Sequence, residues 1–179
     1  MSNVIIRPLV EKDAKPISDL AHRVRLDLSE SEVASRRGFI VRPQSVDEYI
    51  RRINVASLGL GAEHKGELVG FALAFDVGTL GSLISMNSSL AEKLLSYAPD
   101  TLFLDQIAID PNSRGIGAGK SLMGEIVANN HGKVISTFVL QKPVQNQASQ
   151  KFLSGLSWMN AATLVDGSFL WDLYLSPRK

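Results

Sequence analysis

The segment IAIDPNSRGIGAGKSLM, residues 107–123, contains in direct succession the end of a strand, a turn, three alternating glycines and the start of a helix. Glycine leaves backbone N–H groups uncovered and lets a ligand approach closely. The start of a helix carries partial positive charge, and Arg114 and Lys120 add full charges beside it. The segment therefore predicts a site for a phosphate or pyrophosphate. The plainer alternative is that the glycines only let the helix pack against the strand.

Two common nucleotide-binding loops do not match this segment. The P-loop pattern G-x-x-x-x-G-K-S/T requires a glycine five places before Gly119, where Arg114 stands. A P-loop enzyme also needs an acidic residue at the end of another buried strand, whereas VISTFVLQ ends in glutamine. The dinucleotide pattern G-x-G-x-x-G fails because the glycines stand at positions 115, 117 and 119. A P-loop enzyme survives as a hypothesis only if Gly115 can serve one position late.

Apolar periodicity and capping residues predict the elements that precede this segment. We expect a strand at Val4–Pro8, followed by a helix with Asp13 as its N-cap. Residues 29–45 are polar and, apart from GFIV, are predicted to be irregular. Ser45 and Glu48 form a capping-box pattern at the start of the next helix. A strand, a turn at HKGE and a longer strand then predict a hairpin.

The remaining elements surround the glycine segment. Residues 78–100 interrupt the pattern with a glycine-bearing loop and a short helix, which predicts an insertion. LFLDQIAID, residues 102–110, is apolar on both faces and predicts a central, buried strand. A helix from about Gly119, the strand KVISTFVLQ, the helix NQASQKFLSGL and a hairpin at Asp166-Gly167 follow. We expect one α/β domain over residues 1–179.

The composition excludes several classes of protein. The 19 Lys and Arg residues nearly balance the 18 Asp and Glu residues, so we expect neither a nucleic-acid nor a membrane partner. The absence of cysteine excludes disulfides, thiolate metal sites and a cysteine nucleophile, and no metal is expected. No apolar run approaches the roughly 20 residues that span a bilayer. The charged N-terminal sequence MSNVIIRPLVEKD does not resemble a signal peptide, so a cytoplasmic protein is expected.

Two motifs resemble the GNAT superfamily of N-acetyltransferases. Arg114-Gly-Ile-Gly117-Ala-Gly119 matches the pattern R/Q-x-x-G-x-G/A, and IAIDP before it matches the strand end that usually precedes the pattern. NQASQKFLSGLSW, residues 146–158, is similar to the superfamily segment N-x-x-A-x-x-F-Y-x-x-x-G-F. The element order agrees from residue 4 to residue 175. The resemblance implies a mixed, mostly antiparallel sheet of six to seven strands, about four flanking helices and a central splayed strand pair.

The resemblance also implies acetyl-coenzyme A as the acyl donor. Backbone amides of the glycine segment would hold the pyrophosphate, beside the positive charge of Arg114; these residues are Gly115, Ile116, Gly117, Ala118, Gly119 and Lys120. The pantetheine arm would pair with the backbone of the preceding strand, at Ile107, Ala108 and Ile109. Asn146 matches a position that often contacts the cofactor. Dimers are common in this superfamily, so a homodimer is an expectation by analogy.

Two catalytic side chains of the superfamily are replaced in this sequence. The tyrosine that often serves as general acid falls on Leu153, and the glutamate of one branch falls on Gln141. Asp105 is our candidate for the general base, since alternation places it on the same strand face as Ile107. In the alternative interpretation, Asp105 bonds locally and stabilises the strand bulge.

The leading function hypothesis is an N-acetyltransferase that transfers the acetyl group directly to an amine in a ternary complex. The acceptor is a small molecule or a peptide or protein amine, and residues 22–45 and 78–100 are expected to form the walls of its site. The alternative hypothesis is a non-catalytic acyl-CoA-binding or regulatory domain. The missing tyrosine and glutamate are the best support for this alternative.

Overall fold

The computed structural model describes residues 4–78, 88–97 and 99–178. Within these residues, seven strands form one sheet in the order β1-β2-β3-β4-β5-β7-β6. The strands are β1 Val4–Pro8, β2 Leu58–His64, β3 Glu67–Asp76, β4 Thr101–Ile109, β5 Val134–Lys142, β6 Met159–Asp166 and β7 Phe169–Leu175. The pairs β1/β2, β2/β3, β5/β7 and β6/β7 are antiparallel, and β4/β5 is parallel. The predicted central position of β4 is confirmed.

Six α-helices accompany the sheet in the described part of the chain. They are α1 Ala14–Arg23, α2 Ser31–Arg37, α3 Val46–Val55, α4 Ser88–Tyr97, α5 Ala118–Ala128 and α6 Gln147–Ser154. The mixed α/β class and the mostly antiparallel sheet predicted from the sequence are confirmed. None of the helices in residues 4–78, 88–97 and 99–178 is both long enough and apolar enough to cross a bilayer.

The chain divides into two compact units that interleave in sequence. The first unit consists of Met1–Leu26, Phe39–Ala74 and Leu104–His131, and the second consists of Asp27–Gly38, Phe75–Phe103 and Gly132–Lys179. The first therefore contains α1, α3, α5 and the later part of β4, and the second contains α2, α4, α6 and the strands β5, β6 and β7. The single domain expected over residues 1–179 stays a prediction.

In the first unit, α1 packs against α3, and α5 contacts β1 and β2. The buried side of α1 carries Ile17, Leu20 and Ala21, at the spacing of one helix face. On α3, the buried ring of Tyr49 meets Phe71 of β3 edge-to-face, with ring centroids 5.9 Å apart. Apolar side chains on both helices thus anchor them to the core and position the polar residues of α3.

In the second unit, β4 and β5 pair in parallel where Thr101–Phe103 lies opposite Val134–Ser136. The hydroxyl oxygens of Thr101 and Ser136 are 2.7 Å apart in a buried hydrogen bond. Phe103 packs edge-to-face on Phe138, with ring centroids 5.7 Å apart. These contacts stabilise the start of β4, and its remaining residues belong to the first unit.

The prediction that residues 29–45 are irregular is wrong, because α2 occupies Ser31–Arg37. The Ser35 hydroxyl donates to the carbonyl of Gln145 at 2.6 Å, and α2 packs on α6. At Gly38, which follows α2 with φ +77°, a side chain would come within 3.2 Å of Ala148. Contacts with a distant segment therefore stabilise a helix that has little apolar periodicity of its own.

The two predicted helix caps have different outcomes. Ser45 caps α3 as predicted, since its hydroxyl accepts from the Glu48 N–H at 3.2 Å. Asp13 precedes α1, but its carboxylate makes no capping bond to that helix. It accepts instead from the Val10 N–H at 2.9 Å and from the Arg7 guanidinium at 2.8 and 2.9 Å. The Arg7 guanidinium on β1 therefore binds the Asp13 carboxylate, which the sequence pattern had predicted to cap α1.

The insertion predicted at residues 78–100 is described only in part. Residues 79–87 and 98 lie outside the described residues. The helix α4 accounts for Ser88–Tyr97, and it contacts β6 of the same unit. In that contact the Lys93 ammonium donates to the carbonyl of Val165 at 2.6 Å.

Candidate active site

The glycine segment forms an open loop between β4 and α5. Gly115 and Gly117 have φ values of +80° and +90°, in the left-handed region that favours glycine. A β-carbon added at either position would meet nothing within 4 Å among the described residues. Gly117 is also the N-cap of α5, which begins at Ala118. The loop therefore has the backbone geometry and the open space that a bound anion requires.

The first turn of α5 supplies hydrogen-bond donors. The first backbone bond of this helix runs from the Ser121 N–H to the Gly117 carbonyl at 3.0 Å. The N–H groups of residues 118–120 come before it and have no acceptor within the helix. No side chain caps this helix, and Arg114 and Lys120 are exposed beside it. These features favour a phosphate group, whose binding here stays a prediction.

Asp110 organises the turn that leads from β4 into the glycine loop. Its carboxylate accepts from the Asn112 N–H at 2.9 Å and from the Arg23 guanidinium at 2.6 Å. Its own N–H donates to the carbonyl of Val69 on β3 at 2.8 Å. The turn is thus connected both to the last turn of α1 and to the neighbouring strand. The Asp-Pro pair in the sequence is a common signal of such a turn, from which this role of Asp110 could have been predicted.

Gly70 of β3 is a second site residue that the sequence analysis missed. A β-carbon at Gly70 would lie 2.5 Å from Cδ1 of Ile109 and 2.9 Å from the carbonyl oxygen of Ala108. Glycine is therefore required for the close approach of β3 to the β4 backbone that we expect to hold the pantetheine arm. A glycine inside a strand is a recognised signal of such an approach.

We expect Gly70→Ala to lower the free energy of unfolding by about 1–3 kcal/mol, because the new methyl group overpacks a rigid contact. We also expect it to weaken coenzyme A binding by displacing Ala108 and Ile109. Gly59→Ala on β2 is the matched control, since its β-carbon would meet neighbours only at 3.6 Å or more. Urea unfolding and calorimetric titration with coenzyme A measure the two effects. Equal losses in both variants would show that Gly70 has no special role.

Asp105, the predicted base, forms an ion pair with a buried arginine. The Arg52 guanidinium of α3 donates from Nη1 to Oδ2 of Asp105 at 2.5 Å. The neighbouring residue Gln106 accepts from the Tyr49 hydroxyl, also on α3, at 2.8 Å. Two consecutive side chains of β4 thus contact the same helix.

The environment of this group shifts two ionisation equilibria. Burial raises the pKa of Asp105 above its ordinary value, and the ion pair with Arg52 opposes that rise. Burial also raises the pKa of Tyr49, so its phenol stays protonated and donates to Gln106. The resulting site has a carboxylate that gains a proton more readily than an exposed aspartate does. Its role as the base stays a prediction.

The second unit contains the other residues considered from the sequence. Asn146 is buried and caps α6, since its side-chain oxygen accepts from the Ser149 N–H at 3.1 Å. Leu153, at the position of the superfamily tyrosine, is 3% exposed. Gln141 donates to Oδ2 of Asp172 at 2.6 Å. The structure thus assigns Asn146 a capping role, while its predicted contact with a cofactor stays a prediction.

The predicted site residues fall into two groups. The first unit brings together Asp105, the strand residues Ile107, Ala108 and Ile109, and the loop and helix residues from Arg114 to Lys120. Asn146 belongs to the second unit. The residues predicted to bind the pyrophosphate and the pantetheine arm are therefore consecutive parts of one strand–loop–helix segment.

Comparison with solved structures shows the same fold in several acetyltransferases. The ribosomal-protein-S18-alanine N-acetyltransferase from Escherichia coli is 15% identical, with a TM-score of 0.65 over 98% of this chain and 94% of that one. Ard1 from Thermoplasma volcanium is 14% identical, with a TM-score of 0.66 over 98% and 99%. The protein yncA from Salmonella typhimurium, solved with its cofactor acetyl-CoA, is 18% identical, with a TM-score of 0.62 over 97% and 93%.

Sequence comparison gives a result of its own. No curated protein matches the chain. The family model described as the acetyltransferase (GNAT) family matches residues 25–156, a range that includes β4, the glycine loop, α5 and α6. With that match, the left-handed glycines at the start of α5 and the fold shared with acetyltransferases, the chain belongs to the GNAT acetyltransferase family.

Proposed function

We propose that this protein transfers an acetyl group from acetyl-CoA to an amine by direct transfer in a ternary complex. The observation that carries the proposal is the loop at Gly115 and Gly117, with its left-handed backbone, open space and helix N-terminus. Such a loop suits the pyrophosphate of a coenzyme A thioester. When bound, the thioester supplies an activated acyl carbon.

The residues of this chain have three tasks in the proposed reaction. The loop and the first turn of α5 hold the pyrophosphate, and the β4 backbone at residues 107–109 orients the pantetheine arm. An ordinary alkyl ammonium has a pKa of about 10.4, so the acceptor must lose a proton before it can attack. We assign the removal of that proton to the carboxylate of Asp105. A backbone N–H of β4 stabilises the oxyanion of the tetrahedral intermediate.

A second candidate function is a non-catalytic acyl-CoA-binding domain. Two observations favour it: the buried Leu153 cannot donate a proton, and Gln141 is neutral and bonded to Asp172. Acetyl transfer does not need an acid at position 153, however, because a thiol with a pKa of about 8.5 is a good leaving group without a strong acid. It does not need a base at position 141 either, since the proposal gives that role to Asp105. Both functions require binding of an acyl-CoA, and only the acetyltransferase releases the thiol of coenzyme A.

Thermal shift followed by a thiol-release assay tests the proposal. We expect acetyl-CoA and coenzyme A to raise the unfolding midpoint, because both ligands bind only the folded state, and magnesium-ATP to leave it unchanged. We then expect thiol release with at least one class of amine among aminoglycosides, polyamines, amino acids and peptide N-termini. Stabilisation by magnesium-ATP alone would contradict the proposal. Coenzyme A binding without thiol release across the panel would favour the binding domain.

A further inference from the structure

The candidate base lies in a charged cluster that the sequence analysis did not identify. Arg52 bridges two carboxylates: Nε donates to Oε1 of Glu48 at 2.9 Å, and Nη1 donates to Oδ2 of Asp105. The side chains of Arg52, Glu48 and Asp105 are only 6%, 14% and 19% exposed. Arg51 pairs with the other oxygen of Glu48, but its side chain is 65% exposed and does not contact Asp105.

The geometry of α3 explains why these groups meet. Glu48 lies three residues before Arg51 and four before Arg52, the spacings at which helix side chains are neighbours. The Glu48 N–H is held by the Ser45 cap, so the start of the helix is fixed. Tyr49, on the same helix face, is buried against Phe71 and bonded to Gln106. The helix therefore presents Arg52 to β4 from a rigid position.

The ion pair leaves half of the Asp105 carboxylate available. Only Oδ2 accepts from Arg52, and Oδ1 accepts no hydrogen bond from the part of the chain that the structure describes. A carboxylate held at one oxygen and open at the other has the arrangement of an oriented base. Its orientation comes from Arg52, and its open oxygen can receive a proton.

We propose that Arg52 is a positioning residue that orients Asp105 and keeps it ionised, and that Glu48 holds Arg52 in place. The proposal rests on the proposed function, in which Asp105 takes the proton of the acceptor amine. Among the residues that the structure describes, the charged and titratable groups that act on Asp105 come from α3: Arg52 favours the carboxylate, whereas Glu48 opposes it and Tyr49 is neutral. A buried carboxylate without Arg52 would hold its proton to a higher pH.

The test is a titration of Asp105 that needs no acceptor. The protein is labelled with carbon-13 at the aspartate carboxyl groups, and the Asp105 signal is assigned by its loss in Asp105→Asn. We expect Arg52→Gln to raise the titration midpoint of Asp105 by about one to three pH units, since one adjacent arginine has an effect of that size. Glu48→Gln retains an oxygen that can accept from Nε of Arg52, so Arg52 should stay in place. The midpoint is then expected to fall, because the variant removes a negative charge beside the carboxylate.

Arg51→Gln is the matched control and should leave the midpoint unchanged, because the ion pair of Arg51 in the described part of the chain is with Glu48 and not with Asp105. Arg52→Lys retains the charge and should recover most of the wild-type midpoint even if Arg52→Gln folds poorly. An unchanged midpoint in Arg52→Gln, or in Glu48→Gln where Arg52→Gln does not fold, would overturn the proposal. Equal shifts in the Arg51 and Arg52 variants would also overturn it.

Kinetic measurements then test whether the Arg52–Asp105 ion pair acts in the transfer reaction. With an amine that releases thiol, the acid limb of the kcat/KM profile should move to higher pH in Arg52→Gln by the same amount as the Asp105 midpoint. An acid limb that stays in place while the midpoint moves would show that Arg52 does not act through Asp105. Absence of thiol release with a shifted midpoint would contradict the proposed function and leave the Arg52–Asp105 coupling intact.

Discussion

Replacing Gly117 by valine is expected to weaken coenzyme A binding by about 100-fold, the equivalent of losing one or two charged hydrogen bonds of roughly 1.5–3 kcal/mol each. Gly117 has φ +90° and caps α5, and a β-branched residue does not adopt this conformation readily. The backbone would rotate to relieve the strain and turn its N–H groups away from the phosphate. The side chain would also fill the open space above the loop.

The same substitution should leave the protein folded. A left-handed conformation costs a non-glycine residue roughly 1–2 kcal/mol, which most domains tolerate. Gly66→Val in the turn between β2 and β3 is the control, because Gly66 has φ +81° and also has open space around it. Calorimetric titration with coenzyme A and thermal unfolding of both variants separate strain from binding. Wild-type affinity in Gly117→Val would remove the glycine loop from the site.

Replacing Asp105 by asparagine should lower kcat/KM for acyl transfer by about 100-fold to 10,000-fold, the range expected for a lost general base. Asparagine retains the shape of the side chain but cannot accept the proton. The affinity for coenzyme A should change little, because Asp105 precedes the strand residues 107–109 that we expect to orient the pantetheine arm. Thiol-release kinetics and calorimetric titration measure the two quantities.

The pH dependence of wild-type activity shows which protonation state of Asp105 is active. Asp105 must be ionised to act, so activity should fall as the pH drops through its pKa, which burial raises above the ordinary value for aspartate. Asp13→Asn is the matched control, since Asp13 is also a buried carboxylate paired with an arginine but lies far along the chain from β4. Near-wild-type activity in Asp105→Asn would make Asp105 a structural partner of Arg52.

The elements that were predicted well depend on neighbouring residues. The start of α5 was expected at about Gly119 and lies at Ala118. The turn at HKGE appears between β2 and β3, where Lys65 and Gly66 both have positive φ. Ser45 caps α3 because a hydroxyl at that position reaches the N–H three residues later. Each of these features follows from local sterics and hydrogen bonding.

The elements that were missed or assigned wrongly depend on distant partners. The helix α2 has seven residues, too few to be stable by propensity alone, and it is held by contacts with α6. Asp13 has the residue type and position of a cap, yet the Arg7 guanidinium competes successfully for its carboxylate. A single sequence does not show whether packing brings the Asp13 carboxylate closer to the helix N–H groups or to the Arg7 guanidinium.

The same distinction applies to the candidate site. The order of residues in IAIDPNSRGIGAGK was enough to predict the glycine loop and the helix start that follows it, because glycine conformations and helix N–H groups arise from consecutive residues. Pyrophosphate binding by this segment stays a prediction. The surroundings of Asp105 arise from packing instead. Arg52 stands 53 positions earlier in the chain, and burial and ion pairing act through space, so the ionisation of Asp105 depends on contacts that only the folded chain forms.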